Sequence, residues 1–330
     1  MNIENPVLPG FHPDPSICRV GDDYYLATST FQWLPGVRIH HSRDLVHWRL
    51  VGYALTRKSQ LDLIGVEDNA GVWAPCLSYA DGRFHLIFTA TKDWTSPYKD
   101  TPNYLVTAPA IEGPWSEPVY LNASGFDPSL FHDDDGRKWL VNVRWDHRVG
   151  RNPFSGILLQ EYSPTEERLI GDARIIFSGT ALGLVEGPHL YRKDGGYWLL
   201  TAEGGTGWDH AVTLARSQRI DGPYEVMPDN PLLTSRGDPA LPLQRAGHGS
   251  LVETQTGQWV LAHLCGRPVM PQRRCILGRE TALQVLEWPT GQWPRLVHGT
   301  NRPAVAVPAP DLPPHPFARH AKNGHSPVGC

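Results

Sequence analysis

Three carboxylates in this sequence stand in closely similar settings. Asp14 lies in "HPDPS", Asp127 in "GFDPS" and Glu186 in "VEGPH". Each precedes a proline by one or two residues, and an apolar, strand-like run follows. A proline fixes its own φ and restricts the residue before it, so these acids are held rather than loosely displayed. A histidine, His248 in "AGHGS", takes the corresponding place before Gly249. Two carboxyls on either side of a sugar are the equipment of glycoside hydrolysis: one gives a proton to the leaving oxygen, the other activates water or attacks. A third can raise the pKa of the acid by like-charge repulsion and orient it. Taken singly, each Asp also reads as a turn residue before a strand. Three at equivalent positions argue for a shared site.

Positioning them takes a repeat. Helical periodicity is scarce, and what recurs is a strand, a tight turn and an aromatic-rich strand. The five copies are "DPSICRVGDDYYLATST", "APCLSYADGRFHLIFTAT", "DPSLFHDDDGRKWLVNVR", "GPHLYRKDGGYWLLTAEG" and "HGSLVETQTGQWVLAHLC". Their turns carry hairpin chemistry. The anchors Pro15, Pro75, Pro128, Pro188 and Gly249 are spaced by 60, 53, 60 and 61 residues. Further strands fit between them, in "GVRIHHSRDLVHWRLVGYAL", "NYLVTAPAIEGPWS", "SGILLQEYSP" and "AVTLARSQRIDGPYEV", and "EGPWS" and "DGPYE" recur at matching places. Units of about four short strands are propeller blades. The sequence therefore predicts an all-β, five-bladed β-propeller over residues 1–300. A pair of β-sandwiches would explain the strands but not the period. In a propeller the first strand of each blade lines the axis, so the acids converge on one face. From 301 to 330 the chain is rich in Pro, Ala and His without alternation, and predicts an extended or disordered tail.

Composition narrows the class. A net charge of −4 gives no electrostatic case for nucleic acid or an anionic membrane. Twelve Trp and eleven Tyr suit a sugar-binding cleft as well as a β-rich core. The five Cys are odd in number and hold no CxxC pair, which predicts reduced thiols rather than a zinc cage or a disulfide framework. "MNIENPVLPG" lacks the pattern of a signal peptide, and no run of apolar residues is long enough to span a membrane, so a cytoplasmic location is expected. No phosphate-cradling glycine loop calls for an organic cofactor. The run Asp133–Asp135 reads as a solvated hairpin turn without EF-hand spacing.

Taken in order, these motifs, with "GVWAPCLSY", "WDHR", "LLQEYSP", "TAEGGT" and "GRETALQ", closely resemble the β-xylosidases of glycoside hydrolase family 43, from about Asn5 to about Arg295. The resemblance implies an inverting exo-enzyme that releases xylose from the non-reducing end of β-1,4-xylo-oligosaccharides. Asp14 would be the general base, Glu186 the general acid, and Asp127 the group that tunes and orients Glu186. Inversion expects acid and base about 6.5–9.5 Å apart. Phe31, Trp73 and Trp145 would form an aromatic wall, with Ala74 beside Trp73, and Arg279 would bind the terminal sugar. His248 would lie near the axis, where relatives often hold a water or a calcium ion. Unaided by the resemblance, Trp73 and Trp145 also read as core, His248 as structural and Arg279 as half of an ion pair. The alternatives are an α-L-arabinofuranosidase, or a bifunctional enzyme, and a catalytically weakened carbohydrate-binding propeller. A protein-interaction propeller of the WD type lacks its dipeptides. Such β-xylosidases usually continue into a β-sandwich that closes one side of the pocket. Here the chain runs at that junction into "VPAPDLPPHPFARHAKNGHSPVGC", which predicts a more open cleft and an apolar patch favouring self-association into a homo-oligomer.

Overall fold

The computed structural model describes residues 1–317. Among them every regular element is a strand, and they form five small antiparallel sheets plus one terminal strand pair. The first sheet runs Ser16–Val20, Asp23–Thr28, Gly36–Ser42 and Arg49–Leu55. The others begin with Gly71–Ala80, Ser129–His132, Glu186–Lys193 and Gln244–Glu253, and continue outward in chain order. Each opening strand packs against that of the next sheet, and the fifth packs against the first. The ring closes as a five-bladed propeller, with the five sequence units as its blades. Apolar clusters fill the gaps between blades: Leu77, Phe84 and Phe88 pack with Ile39 and Leu55, and Trp198 and Leu200 pack with Trp259 and Trp288.

The hairpin turns behave as their residues require. Asp81 and Gly82 have φ of 53° and 71°, and Asp194 and Gly195 have 52° and 73°. Two successive positive φ values make the turn whose twist matches the strands it joins. The recurring "EGPWS" and "DGPYE" segments form the same closure: the N–H of Gly113 donates to the carbonyl of Ala110, and that of Gly222 to Arg219, both at 3.0 Å.

The C-terminal stretch departs from the expected free tail in its first half. Residues 301–317 are mostly extended, yet Ala306–Pro308 pairs with Asn2–Glu4, burying Ile3 and Val307. The side chain of Asn5 clasps this seam to the fifth blade, donating to the carbonyls of Leu283 and Ala304 and accepting from the N–H of Leu283. The propeller's outer closure therefore uses residues beyond 300; the tail expected over 318–330 lies outside the described residues. No helix among the described residues is long and apolar enough to cross a membrane.

Candidate active site

The blade repeat delivers its acids to one end of the axis in a particular backbone state. Asp14, Asp127, Gly187 and His248 each directly precede the anchor residue of a blade, and their φ values are 53°, 54°, 54° and 47°. Left-handed backbone at a non-glycine residue is costly and persists only where its surroundings enforce it. Here it turns the side chains toward the axis. In the fourth blade this position is a glycine, and a Cβ there would stand 3.0 Å from Nε2 of His248. A side chain there would crowd the imidazole, and the carboxylate of this blade comes from Glu186, one residue earlier. That offset is visible in "VEGPH", but its cause is steric and appears only in three dimensions.

Asp14, Asp127, Glu186 and His248 are all buried and all line one cavity of about 380 Å³. Phe31, Trp73, Ala74 and Arg279 line it too, so the structure brings together eight of the nine residues singled out in the sequence. Trp145 is the ninth. It is not on the cavity wall but packs edge-on against Phe154 at 5.2 Å and at a tilt against Phe126 at 6.0 Å, both of which are. The prolines alone do not fix Asp14. Its Oδ2 accepts from the hydroxyl of Ser29 at 2.6 Å and its Oδ1 from Arg279 at 2.9 Å, with Nδ1 of His248 at 3.8 Å. The Arg279 guanidinium in turn lies over the ring of Phe31, 4.7 Å from its centroid. Phe31 reaches the wall because Gly71 lets the backbone pass; a Cβ there would meet the Phe31 carbonyl at 2.2 Å.

The two principal acids are driven in opposite directions. Burial opposes ionisation of Asp14, but the positive charge of Arg279, then His248 and the Ser29 hydroxyl, outweigh it, and its pKa falls below the ordinary value. Glu186 is raised well above its own, by burial and then by the negative charge of Asp14, with Arg279 opposing. One of its oxygens, Oε1, is buried with no hydrogen-bond partner among the described residues. Asp127 is also raised, by burial and by the charges of Glu186 and Asp14, although the N–H of Gly187 stabilises its ionised form. At neutral pH the cavity therefore holds an ionised Asp14 facing a protonated Glu186. One carboxylate able to take a proton and one carboxyl able to give it form the division of labour that acid–base catalysis needs.

Several wall residues carried no signal in the repeat. Trp94 and Lys99 come from the long loop between Arg83–Thr91 and Asn103–Ala108, and Asn69, Phe154 and Thr206 from other segments outside the anchors. Phe126 adjoins Asp127 and was legible from that adjacency. His210 also escaped notice. It is fully buried, neither ring nitrogen has a hydrogen-bond partner within bonding geometry among the described residues, and its pKa is lowered to about 3 by burial and by His248 and Arg279. The ionisable neighbours of His248 are Asp14, Arg279, His189 and His210. Calcium takes oxygen ligands. This set offers imidazoles and one carboxylate already engaged, so it does not fit calcium as a direct protein cage. No group of three His, Cys, Asp or Glu side chains among the described residues is arranged to hold a metal ion. Trp33, Leu34, Ile276 and Leu277, close in sequence to the cavity residues Phe31 and Arg279, carry exposed apolar side chains.

Comparison with known proteins agrees with the geometry. Residues 3–294 match the family model "Glycosyl hydrolases family 43". A xylosidase/arabinosidase of Humicola insolens is 60% identical over 291 residues, covering 88% of this chain and 54% of that protein. A β-xylosidase of Bacillus subtilis is 57% identical over 321 residues, covering 95% and 60%. The crystal structure of a xylan β-1,4-xylosidase from Bacillus halodurans superposes with a TM-score of 0.95 at 64% identity, covering 97% of this chain and 61% of that one. The chain thus spans little more than half the length of these relatives. The shared blades, the paired acids at their axis and a match over nearly the whole propeller place this chain in glycoside hydrolase family 43.

Proposed function

We propose that this chain is an inverting exo-β-xylosidase acting on β-1,4-xylo-oligosaccharides. The observation that carries this reading is the opposed poise of Asp14 and Glu186 on one small cavity. The terminal xylose sits between Phe31 and Trp73, and Arg279 donates to its hydroxyls. Asp14 takes a proton from a water as that water attacks the anomeric carbon. Glu186 gives its proton to the glycosidic oxygen, the carbon–oxygen bond on the opposite face breaks, and the shortened oligosaccharide leaves. The anomeric configuration inverts once, and solvent restores both protonation states. Asp127 is a positioning residue that keeps Glu186 protonated.

The names of the Bacillus relatives support xylosides as substrates. The Humicola relative's name, xylosidase/arabinosidase, supports a second activity on α-L-arabinofuranosides in the same pocket. The described cysteines, Cys18, Cys76, Cys265 and Cys275, are free thiols, which favours a reducing, cytoplasmic setting. The test is turnover of xylobiose beside an aryl α-L-arabinofuranoside. Faster cleavage of xylobiose, abolished in Asp14→Ala, is the expected result. Cleavage of the arabinofuranoside alone would overturn the assignment of substrate.

A further inference from the structure

Between segments of the fourth and fifth blades, two arginines share one tryptophan. The guanidinium carbon of Arg273 lies 3.8 Å from the centroid of the Trp208 ring, and that of Arg245 lies 4.4 Å away. Both arginines are half-buried, and the Nε of each is fully buried with no hydrogen-bond partner. Neither forms an ion pair among the described residues. The nearest arrangement of the ordinary kind is next door, where Arg236 holds Asp209 at 3.1 Å. Each guanidinium carries five donors in a fixed fork suited to a carboxylate. Both groups stack on one indole, and neither is neutralised by an acid among the described residues. The backbone at both is left-handed, with φ of 56° at Arg245 and 54° at Arg273, so the chain is bent to hold them there.

The cluster is tied to the cavity by sequence on every side. Trp208 shares its short loop with Thr206, which lines the cavity. Arg245 lies on the strand that carries His248, and Arg273 on the segment that leads into Arg279. The segments that carry the cluster thus also supply residues to the cavity.

We propose that Arg245 and Arg273, gathered on Trp208, bind a carboxylate carried by the substrate, namely a uronic acid attached to the xylo-oligosaccharide. The site rests on the reading of the cavity as a xyloside pocket for its choice of sugar, but not for its affinity for the anion. It makes the enzyme favour acidic over neutral oligosaccharides, and the preference weakens with salt because the pair is only half-buried.

The experiment uses the full chain and two readouts. The first is titration with free glucuronate, followed by the indole N–H resonance of Trp208, with xylose as the neutral control. The second is calorimetric affinity of Glu186→Gln for xylotriose with and without a glucuronate branch. The expected result is a Trp208 shift with glucuronate alone, and binding of the branched sugar about fivefold tighter or more at low salt, as charge-assisted pairing at such a site allows. Both should vanish in Arg245→Gln/Arg273→Gln, with circular dichroism confirming the fold. Equal affinities and no shift would overturn the inference, whether or not xylobiose is cleaved. A charge-dependent dimer abolished by the same variant, without any response to glucuronate, would also overturn it by assigning the arginines to an acidic protein surface. Glucuronate binding in a protein that does not cleave xylobiose would keep the anion site and refute the proposed activity instead.

Discussion

Arg279 donates to Oδ1 of Asp14 at 2.9 Å across 265 residues of chain, joining the last blade to the first inside the cavity. This contact both closes the ring and sets the charge of the proposed base. Burial alone would favour a neutral Asp14, and the guanidinium reverses that.

Replacement of Arg279 by Gln should therefore raise the pKa of Asp14. The acidic limb of the kcat/KM profile should move to higher pH by roughly one unit or more, the size of effect an adjacent arginine has on an aspartate. Turnover at the original optimum should fall as well, since the terminal sugar loses a donor. A pH-rate profile measures both effects. A fall in kcat/KM with an unmoved acidic limb would leave Arg279 a sugar ligand only.

Asp127 acts through Glu186. Asp127 and Glu186 repel each other when both are ionised; in Asp127→Asn that repulsion is gone, so Glu186 should lose its proton at lower pH. The alkaline limb should then move toward neutrality, and kcat should drop. Asp127→Glu, which restores the charge, should recover the position of the limb better than it recovers the rate. An unchanged alkaline limb in Asp127→Asn would contradict the tuning role.

The raised pKa of Glu186 has a cost in stability with a definite sign. A carboxyl whose folded pKa lies above its unfolded value binds its proton more tightly when folded. Its contribution is fully present below the unfolded pKa and is lost as pH rises through the folded pKa. Glu186→Gln cannot ionise, so it should melt higher than the parent at alkaline pH, by roughly 2 °C or more for a chain of this size. The difference should shrink toward acidic pH, where Glu186 is protonated. Thermal melts across pH measure it, and a constant difference at every pH would contradict the burial of an ionisable Glu186.

The sequence carried the site where the repeat carried it. Asp14, Asp127 and His248 stood out because each occupies the same place in its unit, and the structure gives all three the same left-handed backbone. Glu186 stood out through its motif, while the reason for its offset, the imidazole of His248 against Gly187, joins two blades and has no local signature. Trp94 and Lys99 lie on a loop with no period, so nothing in the sequence marked them for the wall. Trp145 shows the reverse case: an aromatic in a familiar motif that packs behind the wall residues Phe126 and Phe154. Val307 was hidden by its proline-rich surroundings, which suggest a free tail, because its strand partner Ile3 is at the other end of the chain. Hairpin chemistry and spacing are local and were readable. Closure of the ring and crowding at the axis are not.

The central claim is that Asp14 and Glu186 act as base and acid in a single displacement at the anomeric carbon. The most direct measurement is proton NMR of the sugar released from xylobiose in the first moments of reaction, with Glu186→Gln as control. Inversion predicts α-xylose first, drifting to the equilibrium mixture, and no release by the variant. Initial release of β-xylose, or unaltered release by Glu186→Gln, would contradict it.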